Sequence, residues 1–324
     1  MRTFAPFKTG FLTVMISRRN IRVKVMQTLY TLASMEPGAG GNSDASSAIL
    51  NNKLGQVLDL FTVAVSYSIQ VAQYAATDAR QRASKYLVSS NDQNVDTRLA
   101  NNSFVQMMLN NKSFTERIRN NKLERFVDED TVKKIFQKLL RSAAYSVYLH
   151  EEKHTPVMDR NIIQYIWEKE ILENEDVVSG FVDELPGWED DSELITMLMQ
   201  NFFKGAGKVD FSRLLSAEKR EYAQDLLRVV MEKEEQCGTF ITPKLTNWDK
   251  ERVALIDMIL LRMGVCEFLF FPTIPTKVTI NEYIDIAKQY STPQSGQFVN
   301  GVLDNILKDM LRQDLITKTD RTKN

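Results

Sequence analysis

Ile21, Val25, Leu29 and Leu32 recur at i, i+4, i+8 and i+11, which places all four on one face of a helix. Ser17 stands before that stripe as an N-cap, so the pattern predicts a helix over Arg18 to Ala33. Pro37-Gly38-Ala39-Gly40-Gly41-Asn42 breaks it. From Asp44 to about Leu87 the residues Leu50, Leu54, Val57, Leu58, Phe61, Val65 and Ile69 keep a helical period, predicting one or two helices. Further helical stretches are predicted over Asp96–Asn110, Asp128–Glu152, Asp159–Glu173, Ser192–Phe203, Ser216–Cys237 and Trp248–Gly264, the last opened by Thr246 with Asp249 three on. Thr279-Ile280-Asn281-Glu282 reads as a capping box, with Thr279 as N-cap and Glu282 reaching back. A final helix starts at Pro293 to Ser295 and turns Val299, Val302, Leu303, Ile306 and Met310 inward. Strand-like alternation is nearly absent, so the fold class is all-α.

Punctuation divides the chain. Leu185-Pro186-Gly187-Trp188 and Gly205-Ala206-Gly207 read as hinges, the second as a domain boundary. Asn doublets beginning at Asn101, Asn110 and Asn120 recur too closely for a helical solenoid and read as turns and helix ends.

Composition narrows the function. The 324 residues are 43% hydrophobic and 26% charged, with a net charge of -1, which excludes a wholly basic nucleic-acid coat. Any nucleic-acid site must be a local patch. The first 35 residues hold Arg2, Lys8, Arg18, Arg19, Arg22 and Lys24 and no acid. Cys237 and Cys266 are too few and too far apart in sequence for a disulfide framework, so each reads as a small buried hydrophobe in a reducing cytoplasm. No apolar run approaches the ~18 residues of a membrane span. Phe11 to Ile16 is too short for a signal core, and Met15 is an alternative start that would leave Met1–Val14 an upstream extension.

Two motifs invite enzymatic readings and are weighed against plain ones. His150-Glu151-Glu152-Lys153-His154 matches H-E-x-x-H, but charged middle positions, Pro156 and the lack of a third His favour a solvated helix end. Gly205-Ala206-Gly207-Lys208 lacks both the Ser or Thr after Lys and the preceding strand of a phosphate loop. No catalytic, metal or cofactor site is read. Arg18, Arg19, Arg22 and Lys24 are either a solvated helix start or a phosphate site. Their charge works against the helix dipole, which favours an outside reason. Tyr30 is core or a stacking surface. Gln297, Phe298 and Asn300 are helix packing or a site for splayed RNA bases, and Gly301 in mid-helix suggests close approach of another backbone.

Taken together, Arg18 through Tyr30, Glu251 through Asp257, Arg262 through Glu267, Ile274 through Glu282, Ile286 through Lys288 and Phe298 through Asp304 resemble the NusB family of transcription antitermination factors. The resemblance covers about Arg18–Ala33 and Phe211–Leu311. It implies an N-terminal extension and Arg-rich first helix over 1–41, a helical insertion over 42–207, a NusB-like bundle over 208–315 and a polar tail over 316–324. It further implies a non-catalytic, cytoplasmic RNA-binding protein without cofactor. Such a protein pairs with NusE, a small-subunit ribosomal protein, and binds boxA-like single-stranded RNA of ribosomal leaders within an RNA polymerase antitermination complex. By position, Arg18, Arg19 and Arg22 would hold phosphates, Tyr30 would lie near the RNA face, and Gln297, Phe298 and Asn300 would meet bases or backbone, with Lys24 an RNA-binding candidate from its charge beside them. The alternatives are a protein-only helical scaffold, with the insertion recruiting a transcription or ribosome partner, and an RNA cytosine methyltransferase, which would need a cofactor fold after the domain.

Overall fold

Ser17 opens the first helix, α1 (Arg18–Ala33), through a capping box in which its side chain accepts from the Asn20 amide while Asn20 reaches back to the Ser17 amide. The computed structural model describes residues 16–35, 43–84, 96–151, 153, 155–205, 208–245 and 253–319. Met15, the phosphate-loop-like Ala206-Gly207, Trp248 and His154 lie outside the described residues. The remaining helices are α2 (Ser43–Ala83), α3 (Ser103–Leu109), α4 (Lys112–Asn120), α5 (Glu129–Leu139), α6 (Ala143–His150) and α7 (Pro156–Tyr165). They are followed by α8 (Glu175–Glu184), α9 (Trp188–Lys204), α10 (Ala217–Glu232), α11 (Glu234–Ile241), α12 (Leu255–Phe270), α13 (Thr276–Tyr290) and α14 (Ser295–Arg312). The described residues contain no strand, and the chain is all-α.

The chain divides into two compact units, one of residues 55–214 and the other of residues 16–54 with 215–319. Punctuation in the sequence suggests divisions at 41 and 207. The observed ones fall at Leu54 and Leu214, the first inside the unbroken helix α2. A stretch of α2 is long and apolar enough to cross a membrane, but 78% of it is buried inside the protein, as in the core helix of a soluble fold. Its buried hydroxyls are satisfied within the helix, Thr62 donating to the Leu58 carbonyl and Ser68 to that of Ala64.

In the 55–214 unit, rings fill the core. Phe61 of α2 stacks on Phe211 at 5.4 Å and meets the edge of Phe202 at 5.7 Å. Phe104, Phe114 and Phe203 extend the cluster. The Asn doublets are helix ends, with the Asn102 and Asn111 side chains capping α3 and α4. Pro186-Gly187 is a turn between α8 and α9, and Gly187 adopts φ +84°, a conformation glycine takes without strain.

Three local expectations are corrected. The pattern over Asp128–Glu152 is two helices, broken where Ser142 caps α6. Helix α6 ends at His150, whose Nδ1 contacts the Ser146 carbonyl at 2.7 Å, so this histidine closes a helix. Helix α12 begins at Leu255 and continues to Phe270, past Gly264. Thr279 is no N-cap. Helix α13 starts three residues earlier behind Pro275, which leaves Thr279 fully buried inside it. Pro275 sets an extended approach there, and its carbonyl accepts from the Val278 and Thr279 amides.

Candidate nucleic-acid interface

Within the 16–54/215–319 unit, α1 packs on α10 and α12, and α14 packs on α12 and α13. The two ends of the chain therefore share one helical bundle. The contact that keys it is buried. Arg22 is 1% exposed, and its Nε and Nη2 donate to the two Glu267 oxygens at 2.7 and 3.1 Å. Glu267 also accepts from Tyr222 Oη at 2.6 Å, Tyr283 Oη at 2.9 Å and Thr279 Oγ1 at 2.9 Å. One carboxylate thus joins α1, α10, α12 and α13. Burial opposes the charge on Arg22, but Glu267 outweighs it and holds the guanidinium protonated more firmly than usual. Burial, and next to it the Glu267 charge, raise the Tyr222 and Tyr283 hydroxyls well above their ordinary range, so both remain donors. Lys318 Nζ donates to the Glu267 and Phe271 carbonyls at 2.7 and 2.9 Å. Its pKa is pushed down to about 8 by burial, against the pull of Glu267.

This geometry removes three residues from the predicted contact surface. Arg22 is spent on Glu267, with Glu282 a further 3.5 Å from its Nη1. Lys24 is 3% exposed and donates to Gln27 at 2.9 Å, because it lies within the face of α1 that the bundle covers. Phe298 is 5% exposed, packed inward beside Val299, and presents no open ring face. Glu282, expected to cap, instead faces Arg22. Gly301 lies in open space. The close approach is at Gly264, where an added Cβ would meet Leu303 Cδ2 at 2.9 Å.

Other predicted residues do reach solvent. Arg18 is half-buried, pairs with Glu218 at 2.8 Å and lies 5.3 Å over the Tyr222 ring. Arg19 donates to Gln289 at 3.2 Å and has Asp285 at 3.9 Å. Tyr30 is 43% exposed at the far end of α1. Gln297 and Asn300 are exposed on α14. The link between the ends is α13. Its Gln289 holds Arg19, and its neighbour Lys288 lies over Gly296, where an added Cβ would meet the lysine Cγ at 2.8 Å. Lys288 Nζ lies 3.8 Å from Asp285, the carboxylate that Arg19 also approaches, so the two cations flank one acid. The first turn of α14 is fixed by Ser295, which donates to buried Asp257 at 2.7 Å.

Sequence reasoning missed Glu267, Tyr222 and Tyr283 as a group. The only local signal was a Glu in an otherwise apolar run, Val265-Cys266-Glu267-Phe268-Leu269. It also missed that Cys237 and Cys266 meet, with sulfurs 3.3 Å apart as free, buried thiols.

Comparison with known proteins agrees with this architecture. Residues 189–308 match the NusB family model. The transcription antitermination protein NusB of Methylacidiphilum infernorum is 41% identical over 104 residues, which are 32% of this chain and 72% of that protein. The chain belongs to the NusB family. NusB of Geobacter sulfurreducens is 43% identical over 98 residues, covering 30% of this chain and 71% of that protein. NusB of Salinibacter ruber is 45% identical over 102 residues, covering 32% of this chain and 64% of its own length, so the match spans just under two thirds of that relative. No solved structure matches the chain. The NusB match contains Tyr222, Glu267, Thr279 and Tyr283 and reaches back through α9, while Arg22 lies outside it. NusB proteins are non-enzymatic, and in this chain the Glu267 carboxylate joins four helices of the bundle.

Proposed function

We propose that this protein is a transcription antitermination factor. In this reading it acts in the cytoplasm, bound with NusE to boxA-like single-stranded RNA of ribosomal leaders in an RNA polymerase antitermination complex. The observation that carries the reading is its kinship to proteins named transcription antitermination protein NusB at 41–45% identity. The proposed RNA surface is Arg18, Arg19 and Lys288 for phosphates, with Gln297 and Asn300 as amide partners and Tyr30 as a stacking face at its edge. Arg22, Lys24 and Phe298 support that surface from beneath. Exposed amides and partly exposed guanidiniums suit a flexible strand, whose unstacked bases offer hydrogen-bonding edges. Size exclusion of the protein with NusE and a boxA-like RNA tests it: a ternary peak is expected, and its absence at micromolar concentrations removes the reading.

A second reading has its own support. Arg18 and Arg19 already have acidic neighbours, and two of the four predicted cations are buried, so a protein-only scaffold stays in play. Partner capture that survives nuclease treatment, with no RNA retained, would select it.

A further inference from the structure

The 34 residues from Glu170 to Phe203 hold ten acidic side chains and neither Lys nor Arg. They run from the π-helical turn that follows α7 (Ile166–Ile171) through α8 and most of α9, all inside the 55–214 unit. Helix dipoles account for some of this charge, since Glu175 and Asp176 open α8 and Glu189 and Asp190 open α9. They do not account for Asp183 and Glu184, which end α8, where negative charge is unfavourable. Both are exposed, and neither makes an ion pair among the described residues.

Between α8 and α9 runs an open groove of about 520 Å³. Leu172, Val178, Val182, Trp188 and Met197 give it an apolar floor, with Glu189 and Glu193 on its α9 side. Val182 is 48% exposed although it lies beside the buried Phe181. The α9 residues along it, from Glu189 to Gln200, follow one helical face for roughly 16 Å, the length of about three turns.

We propose that this groove docks a basic amphipathic helix of a partner protein. Its apolar face would cover Val178, Val182 and Met197, and its Lys or Arg side chains would meet Glu189 and Glu193, the two carboxylates that line the groove. Charge complementarity picks this occupant, because an RNA strand or an anionic membrane would be repelled by the same rim. Helix α8 precedes the family match, so the site belongs in part to the portion of this chain outside that match.

The test uses the full chain and a labelled peptide of roughly 18 residues with Leu on one helical face and Lys on the other. A control peptide has the same composition scrambled to remove the apolar face. Fluorescence anisotropy should show saturable binding, weakened about tenfold by Val182→Asp, by paired Glu189→Lys and Glu193→Lys, and by scrambling. Circular dichroism should confirm that the exposed-site variants keep their helix content. No saturable binding, equal binding of the scrambled peptide, or unchanged affinity in both variants overturns the proposal. So does displacement of the peptide by single-stranded RNA in the wild-type protein, which would assign the face to nucleic acid instead.

Discussion

Around Phe61 the 55–214 unit is organised by rings, with Phe61, Phe104, Phe114, Phe202, Phe203 and Phe211 meeting at centroid distances of 5.0 to 6.3 Å. Around Glu267 the other unit is organised by a carboxylate that accepts from Arg22, Tyr222, Thr279 and Tyr283. Ring contacts tolerate small sliding, because offset-stacked and edge-to-face geometries lie close in energy. A buried, bidentate carboxylate tolerates little, because each missing donor leaves an uncompensated polar atom in low dielectric. The second unit therefore has its helix register fixed by direction as well as by shape, and Arg19 and Lys288 are positioned by that register.

The largest effects should come from truncating either centre. Glu267→Ala or Arg22→Ala should each cost about 3–5 kcal/mol in urea denaturation, by leaving a buried charge unpaired. Phe61→Ala should cost a similar amount, about 3–5 kcal/mol, as a cavity. The two centres separate in their rescue. Arg22→Met combined with Glu267→Leu should recover only part of the single-variant loss, because the charges leave but the buried Tyr222, Tyr283 and Thr279 hydroxyls lose their acceptor. Adding Tyr222→Phe and Tyr283→Phe should recover more, and no further recovery would mean that the hydroxyls are not the remaining cost.

Next in size is packing at the α12–α14 crossing. Gly264→Ala should destabilise by about 1–3 kcal/mol, since Leu303 is buried and must shift. Gly301→Ala should stabilise by up to about 1 kcal/mol, with open space at that position. Thermal melts of the pair check both signs.

Smaller in energy but sharper in function is the contrast along α1. Arg18→Ala with Arg19→Ala should leave folding nearly intact while weakening RNA binding and flattening its salt dependence, by about 0.7 in slope for each phosphate no longer neutralised. Unchanged affinity and slope in filter binding would take both residues out of the proposed surface.

The smallest effect is a pH dependence at Lys318. Its folded pKa, about 8, is below its unfolded value of 10.5, so between these the unfolded chain binds the extra proton. Stability should therefore rise as pH increases from about 8 toward 10, and Lys318→Met should abolish that rise. Equal slopes in urea midpoints for wild type and variant would remove the assignment.

Much of the fold was legible because helices announce themselves locally. Period, the Ser17 cap and the breaking glycines place α1 at its observed limits, and the alternation of Val299, Val302, Leu303 and Ile306 gives the inward face of α14. The candidate surface was legible only in part. Arg18, Arg19 and Arg22 look alike in sequence, and each lies at the margin of the same apolar stripe. Which of them is covered depends on α10, α12 and α13, and the partner of Arg22 is 245 residues away. Thr279 shows the same limit at a helix start, where Pro275 moved the boundary and turned an expected cap into a core donor.

By itself, then, the sequence determined that the chain is helical, where most helices begin, and to which family its C-terminal part is related, because these depend on neighbours along the chain. Only the tertiary structure decided that Arg22 and Phe298 point inward, that the two cysteine sulfurs meet, and that Glu189 and Glu193 stand beside an open apolar groove. Burial and ion pairing are settled by which helices come to lie against one another, and no local period carries that information.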